Sequence, residues 1–297
     1  MTRAGFVGLA GRPNVGKSTL ANAIVGSKVA IVSDRPQTTR RAVRGIATDP
    51  GGSWQMVLVD LPGVQRPRDS LTARMQRRVE QELADADAAL LVVDGQQGVG
   101  PGDRFIAKAL LTASEETPVT CAINKCDRLG PAETTGALAG AAELDVVHDI
   151  FPVSARSGSG LGALVDHLVS LLPEGPLLYP PEERSDLPSD IHFAELIREQ
   201  VLRRTRDEVP HAVEVVVDEV ERREDGLVEI RAQVWVESDS QKGILVGKGG
   251  RMVRDVGKAA RKELERDLDA RVFLDLQVKV RPRWRRDEGL LDRIGIE

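Results

Sequence analysis

An eight-residue stretch near the start of the chain has the residue types that bind a nucleoside triphosphate. Residues 11–18, GRPNVGKS, match the pattern G-x-x-x-x-G-K-S and lie between a strand-like run and a helical one. Glycines at both ends let the backbone wrap around phosphate oxygens, so that successive amides point inward. Lys17 is expected to neutralise the β- and γ-phosphates, and Ser18 to offer its hydroxyl to Mg²⁺. The residues of this segment predicted to bind the nucleotide are Gly11, Arg12, Pro13, Asn14, Val15, Gly16, Lys17, Ser18 and Thr19. The alternative is a glycine-rich turn with a surface lysine.

A second motif, NKCD, identifies the base. The carboxylate of Asp127 can accept hydrogen bonds from N1–H and from the 2-amino group of guanine, and adenine lacks both donors. Asn124 and Lys125 would brace this loop around Cys126. Taken alone the motif could be a capped helix start, but it follows a buried strand and a phosphate loop. A supporting turn whose backbone amide reaches the guanine carbonyl is expected at Ser154, Ala155 and Arg156.

Metal and γ-phosphate contacts are predicted from two further segments. Asp60 ends an apolar run and can hold Mg²⁺ through water, and the Gly63 amide can sense the γ-phosphate. Thr38 and Thr39 could each complete the metal coordination; we favour Thr39, although spacing cannot separate them. The predicted nucleotide contacts of the Asp60 segment are Asp60, Leu61, Pro62, Gly63 and Val64. The predicted metal ligands are Ser18, Thr39 and Asp60. The groups predicted to act in hydrolysis are Lys17, Thr39, Asp60 and Gly63.

Val64 bears on the rate of hydrolysis. Many GTPases place a glutamine at this point to orient the attacking water, and valine cannot do so. We therefore expect slow intrinsic turnover unless another group, a potassium ion or a partner assists.

The elements that carry these motifs predict an α/β fold. Residues 54–60, 88–94 and 118–124 are apolar runs that each end in a polar residue, with helical patterns between them. Such runs indicate a mostly parallel sheet covered on both faces, which binds ligands at the carboxyl ends of its strands. The first domain is predicted over residues 1–172, followed by a proline-rich linker over 173–190.

The remainder predicts a small α+β domain over residues 191–285, in the order α-β-β-α-α-β, with a tail at 286–297. GKGG lies between two helical segments and matches the G-x-x-G loop of KH RNA-binding domains. From residue 241 onward the chain has 15 Lys and Arg against 10 Asp and Glu, although the whole protein carries −5. The expected RNA contacts are Gly247, Lys248, Gly249, Gly250, Arg251, Arg254 and Lys258. The alternative is a solvated basic helix. The tail sequence RPRWRRDE would either contact RNA or cap the domain through cation–π contacts.

Composition favours a cytoplasmic protein. The chain is 41% hydrophobic and 29% charged, with only two cysteines, no signal sequence and no apolar run approaching the roughly 20 residues that cross a bilayer. A monomer is expected, because no heptad repeat or large apolar patch is apparent.

The chain resembles the Era family within the TrmE-Era-Der group of translation-factor-related GTPases, over essentially its full length. The segments that match are GRPNVGKSTLAN, PQTTRR, DLPG, NKCD, VSA, IREQVLRRTRDEVPH and QKGILVGKGG. Leu61 departs from the threonine that relatives usually have. The resemblance implies a Ras-like G domain followed by a type II KH domain. It also implies a switch, driven by GTP and Mg²⁺, that binds the 3′-terminal region of 16S rRNA and assists 30S subunit assembly. Family members are further described as cytoplasmic and peripherally associated with the inner membrane. A regulator of the cell cycle or of membrane-surface signalling, with the RNA module as a tether, is the alternative.

Overall fold

Two sheets organise the chain, each in a separate unit. The computed structural model describes residues 2–35, 37–63, 68–113 and 117–296. The first unit comprises the described residues of Met1–Ala30, Thr39–Arg68 and Thr72–Asp186. The second comprises those of Ile31–Thr38, Asp69–Leu71 and Leu187–Glu297.

The sheet of the first unit has six strands in the order β2-β3-β1-β4-β5-β6. All neighbours are parallel except β2 and β3, which are antiparallel. Its elements are β1 (Arg3–Ala10), α1 (Lys17–Val25), β2 (Val43–Thr48), β3 (Trp54–Asp60), α2 (Ser70–Ala84), β4 (Ala88–Asp94), α3 (Pro101–Ala113), β5 (Val119–Asn124), α4 (Pro131–Ala142), β6 (Asp149–Pro152) and α5 (Leu161–Leu171), with α2 belonging to this unit from Thr72.

Apolar side chains on both faces of the sheet explain why its strands are continuous hydrophobic runs. Leu90 and Val92 of β4 lie in one buried cluster, and Leu91 and Val93 in the cluster on the opposite face. The strands predicted from residues 54–60 and 88–94 have the predicted bounds, and the α/β fold class is confirmed.

The edge strand β2 was not predicted. Its sequence, VRGIAT, is short and interrupted by a cation and a glycine, so it lacks the apolar signal of the inner strands. The Arg44 side chain forms ion pairs with two carboxylates, Glu82 at 3.0 Å and Asp186 at 3.3 Å. An edge strand can carry such a residue because one side of it faces no neighbour strand.

The proline-rich segment expected to be a linker packs in large part on the first unit. Gln55, fully buried in β3, accepts hydrogen bonds from the amides of Leu178 (2.7 Å) and Tyr179 (2.9 Å) and donates to the Tyr179 carbonyl (3.0 Å). The Tyr179 hydroxyl donates to Asp186 at 3.0 Å. Residues up to Asp186 therefore belong to the first unit, because a buried amide in the sheet satisfies their backbone.

The second unit is an α+β fold around a three-stranded sheet of order β7-β8-β9, antiparallel between β7 and β8 and parallel between β8 and β9. The predicted α-β-β-α-α-β order is present, with one further short helix after the first and another after the last strand. Its elements are α6 (Ser189–Arg204), α7 (Val209–Ala212), β7 (Glu214–Arg222), β8 (Val228–Val236), α8 (Asp239–Val246), α9 (Arg251–Leu268), β9 (Val272–Val280) and α10 (Glu288–Arg293).

The C-terminal tail folds into the second unit. Trp284 is fully buried, and its indole Nε1 donates to the Ala212 carbonyl at 2.8 Å. Arg281 and Arg293 lie over the ring of Trp235, 5.7 and 5.9 Å from its centroid. The cation–π cap is thus present, with Trp235 as its ring rather than Trp284. None of the helices among the described residues is long and apolar enough to cross a membrane.

Candidate functional site

Strand ends bring the predicted nucleotide motifs to one edge of the first sheet. β1 leads into the loop at residues 11–16, β3 ends at Asp60, and β5 ends at Asn124. These strands belong to the parallel part of the sheet, so their carboxyl ends share an edge.

The phosphate loop has the geometry of an anion cradle. Gly16 has φ +100°, and a Cβ there would stand 2.4 Å from Asn124 Nδ2, so only glycine fits between the two loops. Lys17 begins α1 and is buried, with Nζ donating to the carbonyls of Gly11 (3.0 Å) and Arg12 (3.2 Å). Burial lowers the pKa of Lys17, and the nearby Asp60 carboxylate opposes that shift. A buried ammonium at a helix N-terminus suits a phosphate ligand.

Three oxygen-bearing side chains meet beside this loop. Ser18 Oγ donates to Asp60 Oδ2 at 2.6 Å, and Thr39 Oγ1 lies 3.2 Å from the same oxygen and 3.1 Å from Ser18 Oγ. Burial raises the pKa of Asp60, and the charge of Lys17 opposes that shift. Asp60 Oδ1 is buried and, among the described residues, has no hydrogen-bond partner. An all-oxygen set with an unsatisfied carboxylate oxygen fits Mg²⁺.

The structure distinguishes the two threonines that spacing left open. Thr38 Oγ1 donates to the Arg35 carbonyl at 2.6 Å, and the Thr38 carbonyl accepts from Arg198, both within the second unit. The Thr39 hydroxyl, by contrast, lies with Ser18 and Asp60. Its side chain is therefore the one positioned to complete a metal site.

Gly63 lies against the phosphate loop. A Cβ on Gly63 would stand 2.9 Å from Pro13 Cγ and 3.1 Å from the Pro13 backbone nitrogen, so Gly63 packs closely on Pro13. Leu61 is fully buried, and its departure from threonine leaves Asp60 in place. Val64 lies outside the described residues.

Asn124 joins three loops with one side chain. Its Nδ2 donates to the Val15 carbonyl at 2.9 Å, and its Oδ1 accepts from the amides of Lys125 (2.8 Å) and Ala155 (3.0 Å). Lys125 has φ +66°, and its Nζ donates to the Asn14 carbonyl at 2.8 Å. These hydrogen bonds hold the phosphate loop and the NKCD loop together.

The carboxylate expected to recognise guanine is held open to solvent. Ser154 Oγ donates to Asp127 Oδ1 at 2.6 Å, and this bond is the main cause of a lowered pKa at Asp127. The positive charge of nearby Arg156 also lowers the pKa of Asp127. The Ala155 amide is engaged by Asn124, so the expected contact of this turn with the guanine carbonyl stays a prediction. Burial raises the pKa of Cys126, whose amide bonds to the Val153 carbonyl at 3.1 Å.

Sequence reasoning missed Asp94. This residue is buried at the end of β4 and accepts from Lys125 Nζ at 2.7 Å. Its position was visible as the polar end of an apolar run, but nothing in the sequence paired it with a lysine 31 residues away.

The second unit presents the GKGG loop between two helices. α8 ends at Val246, a 3₁₀ turn covers Lys248–Gly250, and α9 begins at Arg251. Gly247, Gly249 and Gly250 have φ of 69°, 62° and 74°, values that side chains other than glycine rarely adopt. Lys248 is exposed at the tip of this turn.

α9 is amphipathic, as the basic pattern predicted. Val256, Ala260 and Leu264 are buried, whereas Arg251, Arg254 and Lys258 are exposed. Arg254 also braces the loop, because its guanidinium donates to the carbonyls of Gly249 (2.7 Å) and Gly250 (3.1 Å). The tip of the loop and the cations beside it are therefore exposed in this unit.

The first unit is an α/β fold with a phosphate loop and an NKCD loop, and the second is an α+β fold with a G-x-x-G loop. Together they define a guanine-nucleotide-binding protein with a KH domain. The family model for 50S ribosome-binding GTPases matches residues 6–125, and the KH domain model matches residues 208–285. GTPase Era from Mycobacterium tuberculosis strain H37Rv is 45% identical over 296 residues, covering 98% of each chain. The chain belongs to the Era family of GTPases.

Solved structures agree over the full length. A variant of Era from Aquifex aeolicus bound to GDP·AlF₄⁻ is 34% identical and superposes with a TM-score of 0.95 over 99% of both chains. Era in complex with MgGDPNP and nucleotides 1506–1542 of 16S ribosomal RNA is also 34% identical, with a TM-score of 0.94 over 100% of this chain and 99% of that one. The predicted family, the fold class and the GTPase activity are confirmed.

Proposed function

We propose that this protein is a GTP-dependent switch that binds the 3′-terminal region of 16S rRNA and assists 30S subunit assembly. The observation that carries the proposal is the near-complete similarity to the Era structure that holds that RNA segment together with MgGDPNP. Both units of this chain lie within the matched length, so the nucleotide site and the RNA site are each represented.

The GKGG surface supports RNA as the ligand. Small residues at Gly249 and Gly250 let a nucleic-acid backbone approach, and Lys248 meets it with an exposed charge. Arg251 and Lys258 extend the positive surface along α9. Single-stranded RNA fits such a loop better than a duplex, because its bases and backbone can adapt to a narrow groove.

In the nucleotide site, each residue has a separate task. Lys17 balances the charge of the β- and γ-phosphates, and Gly63 reports the γ-phosphate through its amide. Ser18, Thr39 and Asp60 would hold Mg²⁺, which would supply positive charge beside the phosphate oxygens. Asp127 selects guanine. Loss of the γ-phosphate removes the contact at Gly63, which is the step that ends the GTP state.

Intrinsic turnover is slow in this proposal, and potassium accelerates it. The support is chemical: Val64 cannot orient a water, so an added cation or a bound partner must supply the missing transition-state stabilisation. GTP turnover in KCl and in NaCl at equal ionic strength tests this. Equal slow rates in the two salts would remove potassium from the proposal, and fast turnover without any partner would contradict the slow switch.

The RNA proposal is tested by binding and turnover with a 3′-end fragment of 16S rRNA. Affinity is measured with GDPNP and with GDP bound, and a scrambled RNA of equal length serves as the control. We expect tighter binding with GDPNP and faster GTP turnover with the true fragment. The control variant is Arg222→Ala, an exposed cation on β7, which should bind RNA like the unaltered protein. No specific binding and no stimulation would favour the signalling or membrane-surface regulator.

We further propose that the protein works in the cytoplasm as a monomer and meets the inner membrane only peripherally. Two free thiols, Cys121 and Cys126, are compatible with a reducing compartment, and the proposed RNA ligand is cytoplasmic. Sedimentation velocity tests the monomer. Co-sedimentation with anionic and with neutral vesicles, with RNA absent and present, tests the membrane association; recovery in the supernatant throughout would contradict it.

A further inference from the structure

The Arg12 side chain, inside the phosphate loop, points away from the cradle and is fixed at the start of α3. Its Nε donates to Asp103 Oδ1 at 2.9 Å. Asp103 is fully buried, and its other oxygen accepts from the Gly100 amide at 2.9 Å. A Cβ on Gly102 would stand 2.7 Å from Arg12 Cδ, so the arginine stem packs closely on the helix. This ion pair therefore anchors the loop through a buried carboxylate.

Of the two remaining guanidinium contacts, one reaches the Gly98 carbonyl at 3.3 Å and the other continues toward the base loop. Arg12 Nη1 donates to Gln97 Oε1 at 3.1 Å, and Gln97 Nε2 donates to Asp94 Oδ2 at 3.2 Å. The same Asp94 oxygen accepts from Lys125 Nζ at 2.7 Å, and Lys125 in turn donates to the carbonyl of Asn14. The contacts form a closed ring that leaves the phosphate loop at Arg12 and returns to it at Asn14.

We infer that Arg12 and Gln97 are positioning residues for base discrimination, acting through Asp94 on the loop that carries Asp127. The inference rests on the proposed role of Asp127 in selecting guanine. Lys125 directly precedes the 3₁₀ turn of Cys126–Arg128 and holds a left-handed backbone, so its side-chain anchor sets the direction in which Asp127 points. A displacement of the Arg12 side chain would thereby change the orientation of Asp127.

A purely local role would have a different signature. If Arg12 served only to stabilise the phosphate loop, its loss would weaken all diphosphate nucleotides alike. If it also orients the base loop, its loss must weaken guanine more than a base with fewer donors. Hypoxanthine provides that comparison, because it keeps N1–H and lacks the 2-amino group from which Asp127 would accept.

The experiment measures the affinities of GDP and IDP, and takes their ratio, for the full-length protein and its variants. We expect Arg12→Gln to lower the GDP-over-IDP preference at least threefold. Gln97→Ala, which removes the link but leaves the buried Arg12–Asp103 pair, should lower it at least twofold. The matched control is Arg104→Gln. Arg104 lies on the same helix as Asp103, and its substitution removes an exposed ion pair with Glu143. This variant should keep the GDP-over-IDP ratio of the unaltered protein.

The outcomes separate this inference from the proposed base-reading role. If the unaltered protein does not prefer GDP over IDP, the role of Asp127 fails. If it does prefer GDP but Arg12→Gln keeps the full preference, with or without weaker binding of both ligands, the inference is overturned. Should Arg12→Gln not fold, Gln97→Ala decides alone, because its side chain is exposed and its loss does not disturb the core.

Discussion

Replacing Asn124 with alanine should destabilise the first unit by an amount that its hydrogen bonds define. The side chain is 2% exposed and makes three hydrogen bonds, to the Val15 carbonyl and to the amides of Lys125 and Ala155. At about 1 kcal/mol net for each bond, the loss is about 3 kcal/mol of unfolding free energy. The three backbone partners belong to three different loops. An alanine side chain cannot hydrogen-bond to any of them, so all three bonds are lost.

The assay must measure the first unit alone, because a chain with two units does not unfold as one. Hydrogen exchange of core amides in β1 and β4 serves this purpose, since they open only when that unit unfolds. A loss of about 3 kcal/mol corresponds to roughly 150-fold faster exchange at these amides. Amides of β8, in the second unit, should keep their exchange rates.

Gln76→Ala is the matched control, since it removes an exposed amide that donates to Glu80 one turn further along α2. Its cost should be a few tenths of a kcal/mol, as for other exposed pairs four residues apart on a helix. If Asn124→Ala accelerated exchange in β1 and β4 by less than about fivefold, about 1 kcal/mol, the three bonds would not bridge the loops as the geometry indicates.

Three further predictions concern the two binding surfaces. Asp127→Asn should weaken GTP binding and favour xanthine nucleotides, because the amide presents a donor where guanine needs an acceptor; unchanged GTP affinity in a titration would refute the base-reading role. Ser154→Ala should raise the pKa of Asp127 toward its ordinary value of 3.8, since this substitution removes the hydroxyl whose hydrogen bond lowers it. As acid is added, the carboxylate would then become protonated, and cease to accept from guanine, at a higher pH than in the unaltered protein; a carboxyl NMR titration with no upward shift would contradict this. Lys248→Ala should reduce RNA affinity and lower the salt slope by about 0.7, the value for one phosphate contact on a single strand, with GTP affinity unchanged; an unaltered slope would place Lys248 off the RNA.

Polar residues within the strands limited how much of the first unit could be predicted from the sequence. β2 was missed because its edge position permits Arg44 and a glycine, which erase the apolar pattern. The linker was predicted from its prolines, and nothing in the sequence showed that Gln55, inside a predicted strand, binds Leu178 and Tyr179. Local pattern could not show that Gln55 binds Leu178 and Tyr179, since these residues lie 123 and 124 positions further along the chain.

The sequence by itself determined the nucleotide class, the base, the KH module and the family, because each depends on residue types at fixed short spacings that local backbone geometry dictates. Tertiary structure decided which residues support those motifs. Thr39 rather than Thr38 stands with Ser18 and Asp60 only because folding brings three distant segments together. The ring from Arg12 through Asp94 to Lys125 likewise exists only where strand ends of a parallel sheet converge, and that convergence is a property of the packed fold.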